Sequence, residues 1–287
     1  MFTNRTLYFS RASAIIQFRW SLDHPNAKQS GPWSAATGTA RAVGEGAARW
    51  TRDDIGGSKM YYYMDWTYIL VLIGALICAI ASWNVKSTFN RYSRTANSRG
   101  MTGRDMAELI LRRAGINDVR IEHVSGSLTD HYSPGEKVLR LSDSVYGSTS
   151  VAAIGVAAHE CGHAVQHQVG YFPLVLRSAS VPLARFGSFL SWPLILIGML
   201  MGAMGLARLG VLLFTFVVIF QLITLPVEFN ASGRAVAILD QSGCLSQAEL
   251  GAVRKVLTAA ALTYVAALLS SLLQLLRLFL LTQRRRR

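Results

Sequence analysis

Charge is what this 287-residue chain has least of. Charged residues make up 16% of it, acids number 16 against 29 Lys and Arg, and 51% of the residues are hydrophobic. The mean hydropathy is +0.31. An ordinary soluble domain carries about 25% charged residues, so this composition points to a membrane protein. Cysteine is equally scarce: Cys78, Cys161 and Cys244 stand far apart and one lies in an apolar run. No disulfide framework is implied, and the soluble part suits a reducing compartment. The net charge of +13 is not a nucleic-acid signal. The arginines sit in the N-terminal tail, beside apolar runs and at the extreme C-terminus, which follows the positive-inside pattern and not a nucleic-acid-binding face.

The first 59 residues lack a sustained apolar period and are dominated by Arg, Ser, Gly and Ala, so weak order or none is expected. Arg5, Arg11 and Arg19 without an acid would suit a presequence, but no apolar core or cleavage site completes a secretory signal. A non-native extension is the other reading. Translation would then begin at Met60, ahead of Tyr61, Tyr62 and Tyr63, with the codons of Gly56-Gly57 serving as a ribosome-binding sequence. The expected division is therefore 1–59 as an extension and 60–287 as one membrane-integrated domain.

Long uncharged runs mark four spans, near 66–85, 187–207, 209–227 and 256–276. The second and third are separated by Arg208 alone and read as a tight hairpin, with 171–185 lying at the membrane interface. Lys86, Arg91, Arg94, Arg99 and Arg104 follow the first span and place the next segment in the cytoplasm. Counting sides puts the loop after the third span there too. It puts the four C-terminal arginines, Arg284 to Arg287, outside, against the charge rule, so the side of the C-terminus stays open.

Between the first two spans the chain turns globular. A helix starts at Thr102-Gly103-Arg104-Asp105 and stops near Gly115. Val119–Val124 and Lys137–Ser142 alternate as strands around a loop at Asp130–Gly135, and an edge strand there could receive an extended peptide. Ser148, Thr149 or Ser150 can cap the next helix, and Ser246-Gln-Ala-Glu249 is a capping box for the last one.

The helix after that cap carries His159-Glu160-Cys161-Gly162-His163, an H-E-x-x-H pattern inside the uncharged run Val151–Ala158. Four residues apart on a helix, the two imidazoles stand about 40° apart around the axis and ~6 Å along it, so both can reach one ion. Glu160 sits off that line, placed to take a proton from water at an open coordination position. Burying such a cluster is costly unless a cation compensates it, and zinc is the leading choice.

A third ligand is needed. His167 would lie ~12 Å along the axis from His159, too far to share an ion, and the glycine that turns the chain in metzincins is missing between His163 and His167. Glu228, directly after an apolar span, is the stronger candidate because the sidedness count puts it on the same face as the histidines. Its bland alternative is a carboxylate marking the membrane edge. Ser232, one turn later, could orient a ligand.

The His159–His163 motif, Val227-Glu228-Phe229-Asn230-Ala231-Ser232, Leu128-Thr129-Asp130-His131-Tyr132 and Leu141–Tyr146 together resemble the YugP-like family of membrane zinc metallopeptidases from about Met60 to Leu281. More distantly they are similar to quality-control gluzincins, whose third-ligand segment reads E-x-x-A-D where this chain ends in Ser232. The resemblance implies a mainly α membrane protein, with about four transmembrane helices and a small α+β zincin-like catalytic domain. It implies zinc on His159, His163 and Glu228, and Glu160 as general base in peptide-bond hydrolysis. His131, Tyr132 and Arg234 are the candidates for stabilising the oxyanion. The partners expected are the lipid bilayer and a peptide or protein substrate, with membrane proteins in quality control as the substrate class and the site on the cytoplasmic side of the plasma membrane. The alternative is a catalytically inactive zinc-binding scaffold. A transporter or channel fits less well, because the spans carry almost no ionisable residues, and a bare anchor would leave the motif without a purpose.

Overall fold

The computed structural model describes residues 66–284. The readings for residues 1–59, for Met60 with Tyr61, Tyr62 and Tyr63, and for residues 285–287 lie outside the described residues. Nine elements follow in order: α1 (Tyr68–Tyr92), α2 (Gly103–Arg113), β1 (Arg120–Val124), β2 (His131–Ser133), β3 (Val138–Ser142), α3 (Val151–Gln168), α4 (Phe172–Leu200), α5 (Met204–Ser242) and α6 (Gln247–Arg284). Four of them, α1, α4, α5 and α6, are long and apolar enough to cross a membrane.

The small domain grows from its caps. Thr102 accepts from the Asp105 N–H while the Asp105 carboxylate accepts from the Thr102 N–H, closing the box that starts α2. Of the three hydroxyl residues before α3, Ser150 does the capping, accepting from the Ala153 N–H at 3.1 Å. The segment expected as a loop contains β2, so the sheet has three strands in the order β1-β3-β2. β1 and β3 are parallel, with Arg120 opposite Val138, and β2 is antiparallel to β3, with His131 opposite Arg140. Three residues are too few for an alternation to be visible, which is why β2 escapes a periodicity search. It is an edge strand, the one beside α3.

α3 is the hub of the core. Met106, Ile110, Leu139, Leu141 and Ile154 are fully buried around it, joined by Leu239 of α5 and Val253 of α6. Its small residues let neighbours approach closely: a Cβ on Gly162 would sit 2.5 Å from the Ala231 carbonyl oxygen of α5.

The hairpin differs from expectation. α4 runs unbroken from Phe172 through the stretch read as interfacial, and the turn falls at Met201-Gly202-Ala203, not at Arg208. Gly202 takes φ +69°, the left-handed conformation that ends a helix, and Gly198 lets α5 come so near that a Cβ there would meet the Ala207 nitrogen at 2.4 Å. Charge marked the boundary in the sequence, whereas backbone geometry sets it in the fold. α5 has 39 residues, hence ~58 Å of helix against a hydrocarbon layer of about 30 Å. It is thus longer than a crossing needs, and its C-terminal third packs against α3 through Ala231, Ala235 and Leu239.

Candidate metal centre

The close approach of Gly162 to Ala231 sets Glu228 of α5 between the two histidines of α3. Glu228 Oε2 lies 3.3 Å from His159 Nε2 and 3.7 Å from His163 Nε2. The imidazole rings are nearly perpendicular, at 87°, with centroids 4.8 Å apart. One ligand atom from each of the three residues falls within a 4.8 Å cluster. All three are buried, at 4%, 8% and 2% exposure.

The outer nitrogen of each imidazole is held as well. Ser232 Oγ lies 3.1 Å from His159 Nδ1. His163 Nδ1 lies 3.0 Å from Gln166 Oε1, while Gln166 Nε2 donates to the Val227 carbonyl and to Asn230 Oδ1, each at 2.9 Å. Asn230 Oδ1 accepts in turn from Arg234 Nε at 2.8 Å. For His163 these contacts leave little choice of tautomer. Arginine can only donate, so Asn230 turns its oxygen toward Arg234 and Gln166, and the Gln166 amide must point its NH2 that way. Its oxygen then faces His163, whose Nδ1 carries the hydrogen and whose Nε2 presents a lone pair to the cluster.

Two imidazole nitrogens and a carboxylate, converging with their outer partners in place, are a donor set suited to zinc with a coordination position left open. One cation already adjoins it: Arg177 Nη1 of α4 lies 3.8 Å from Glu228 Oε1.

Glu160, 2% exposed, lies beside the cluster, and its Oε2 accepts from the Tyr132 N–H of β2 at 3.2 Å. The Tyr132 hydroxyl and His167 Nδ1 are 2.9 Å apart. Burial, with Asp118 nearby, pushes the Tyr132 hydroxyl up to about 12, so it stays protonated at neutral pH. Cys161, inside the motif, is fully buried, with its Sγ 3.7 Å from the Ala107 carbonyl. Burial, and then the Glu160 charge, push its thiol above the ordinary value. It is no thiolate nucleophile.

The sequence candidates thus divide. His159, His163, Glu228, Glu160 and Ser232 come together, with Tyr132 reaching Glu160 through its backbone. His167 is exposed and stays outside the ligand group. His131 directs Nδ1 at the Thr129 carbonyl at 2.8 Å. Arg234 bonds Asn230 and lies over the Tyr171 ring. Gln166, Asn230 and Arg177 were not singled out in the sequence. A glutamine at i+3 from a ligand histidine, inside a buried helix, was the available signal.

Residues 67–283 match the family described as "Putative neutral zinc metallopeptidase". The chain belongs to that family. Over 211 residues it is 50% identical to "Putative membrane protease YugP" of Bacillus subtilis (strain 168), covering 73% of this chain and 94% of the relative. No solved structure matches. Zinc is the family's metal, and the His159–His163–Glu228 group offers donor atoms that suit it. The membrane-capable helices agree with a metallopeptidase held in a bilayer and acting on peptide or protein.

Proposed function

We propose that the chain is an endopeptidase that cuts polypeptides by general-base attack of water, with zinc on His159, His163 and Glu228. The observation that carries this reading is the meeting of the three ligand residues, two on α3 and one on α5, with Glu160 held beside them by β2. Zinc, when bound there, supplies Lewis acidity to the scissile carbonyl and to the attacking water. Glu160 takes the proton from that water and delivers it to the leaving amide nitrogen. The Tyr132 N–H holds one oxygen of Glu160, which fixes the carboxylate's aim without protonating it. Ser232 and the Arg234–Asn230–Gln166 chain keep each histidine's Nε2 turned inward. Arg177 offsets part of the negative charge on Glu228 and is the nearer cationic candidate for a developing oxyanion, ahead of Arg234, whose Nε is committed to Asn230. His131 and Tyr132 lie on the strand that a substrate would run along.

The arginines after α1 support a site on the cytoplasmic side, in the plasma membrane. Residues 60–287 act as one membrane-integrated peptidase domain, and 1–59 are an extension outside it. A site built where soluble elements meet long membrane helices favours membrane proteins as substrates, in quality control.

The test is zinc content and cleavage of an unfolded polypeptide in detergent. Glu160→Gln is expected to keep zinc and lose activity by a factor of about 10² to 10⁴. Glu228→Ala is expected to lose both. Undiminished hydrolysis by Glu160→Gln would refute the general-base role.

A further inference from the structure

α1 and α6 run antiparallel, and three contacts fix their register. Arg277 lies 4.0 Å over the Tyr68 ring, a Cβ on Gly74 would meet Ser270 Oγ at 2.7 Å, and Cys78 Sγ approaches the Ala266 carbonyl at 3.6 Å. Continuing that pairing toward the metal side brings the last turn of α1 beside the second turn of α6. Both helices leave their uncharged stretches at this level, which is that of the lipid headgroups.

A cleft of about 390 Å³ opens between them there. Arg91, Arg254 and Lys255 line it, with hydroxyls from Thr88 and Thr258 and an apolar end at Leu262. The three cations are exposed, and among the described residues no carboxylate pairs with any of them. Glu249, the acid nearest in sequence on α6, is committed to Ser246 and to the Ser98 N–H and hydroxyl. Three like charges sharing one cleft repel one another until an anion joins them.

We infer that this cleft is a binding site for an anionic phospholipid, with the phosphate between Arg91, Arg254 and Lys255 and an acyl chain leading past Leu262 along the α1–α6 seam. Three features select that chemistry over a soluble anion. The cations sit at headgroup depth, the hydroxyls suit phosphate and glycerol oxygens, and the apolar end points into the bilayer. A negatively charged leaflet supplies the ligand in the plane in which the cleft opens. The site is separate from the metal centre, although Arg254 also lines a second cleft of about 270 Å³, between α5 and α6, that reaches Ser232. Lipid binding therefore stands or falls independently of the peptidase chemistry.

The experiment is native mass spectrometry of the full chain in mild detergent, titrated with phosphatidylglycerol, phosphatidylcholine or inorganic phosphate. Three proteins are compared: wild type, the Arg91→Gln/Arg254→Gln/Lys255→Gln variant, and a control of equal charge loss, Arg112→Gln/Arg113→Gln/Arg120→Gln, on α2 and β1. Wild type and control are expected to retain phosphatidylglycerol in preference to phosphatidylcholine. The cleft variant is expected to lose that preference by a factor of about ten to a hundred. Single Arg254→Gln, the mildest test of folding, is expected to lose part of it. Equal loss in the control would reduce the effect to net charge and overturn the site. So would retention by the cleft variant, or inorganic phosphate binding as tightly as the lipid.

Discussion

α1 and α3 are both uncharged or nearly so through their apolar stretches, yet they live in different solvents. α1 buries Gly74 and Phe89 and leaves Leu72, Leu76 and Ile80 more than half exposed for lipid to cover. α3 buries almost every residue, His159, His163 and Glu160 included. Size and length separate them. α1 has 25 residues, many of them large, enough to span about 30 Å of hydrocarbon. α3 has 18 residues, with Ala, Gly and Val filling its first turns, so other helices can pack against its backbone on all sides. The polar groups of α3 are then met by partners, most of them on α5. A small-residue helix can carry a buried polar cluster because its neighbours come close enough to bond to it, whereas a lipid-facing helix has no such partners and carries no such cluster.

The two helices differ most in what they tolerate at Gly162 and at Ala75. Gly162→Val would press a branched side chain into the Ala231 carbonyl, so α5 must move and Glu228 moves with it. The expected cost is about 1–3 kcal/mol or more, with loss of bound zinc. Ala75→Val in α1, which ends in the same side chain on a lipid-exposed position, is expected to stay within about 0.5 kcal/mol and to keep zinc. Thermal unfolding in detergent, paired with metal analysis, checks both. Similar losses at the two positions would mean that close packing around α3 is not what holds the site.

A smaller effect comes from Gln166, fully buried between His163 and α5. Gln166→Leu keeps the bulk but leaves His163 Nδ1 and the Val227 carbonyl without this partner. Zinc affinity is expected to fall by about 10- to 100-fold, read by competition with a chelator. Gln166→Glu still accepts from His163 but cannot donate to Val227 or Asn230, so its loss is expected to lie between wild type and Gln166→Leu. Equal zinc affinity in all three would assign Gln166 to packing alone.

What the sequence made legible follows from range. Caps and the H-E-x-x-H spacing act within four residues: the caps form at Thr102 and Ser246, and the His159 and His163 rings converge as the spacing implies. Glu228 lies 69 residues from His159, and what pointed to it was the count of membrane crossings. The Gln166–Asn230–Arg234 chain was invisible because it depends on which faces of α3 and α5 meet, and that is set by Gly162 against Ala231. The turn at Gly202 was misplaced to Arg208 because a charge in an apolar run is easier to see than a residue that can adopt positive φ.

The smallest expected effect lies at the cap of α2, where water and membrane surroundings can be compared at a helix start. α5 begins after Ala203, which offers no side-chain bond to its first turn, while α2 begins at the Thr102–Asp105 box. The Thr102 hydroxyl first, then the Thr102 N–H, hold the Asp105 carboxyl below its ordinary value. A carboxylate so lowered contributes stability that is fully present above the unfolded value of about 4 and is lost as pH falls through its lower folded value. Asp105 is largely solvent-exposed, so screening keeps this contribution small. Thr102→Ala is expected to destabilise the protein by about 1 kcal/mol at neutral pH. Because the variant also lacks the hydroxyl that lowers Asp105, the difference between the two proteins should narrow as the pH is taken from 7 toward 3. Unfolding midpoints across that range decide the matter: a gap that stays constant would mean that the cap works through the Thr102 hydroxyl accepting the Asp105 N–H, with no contribution from the carboxylate.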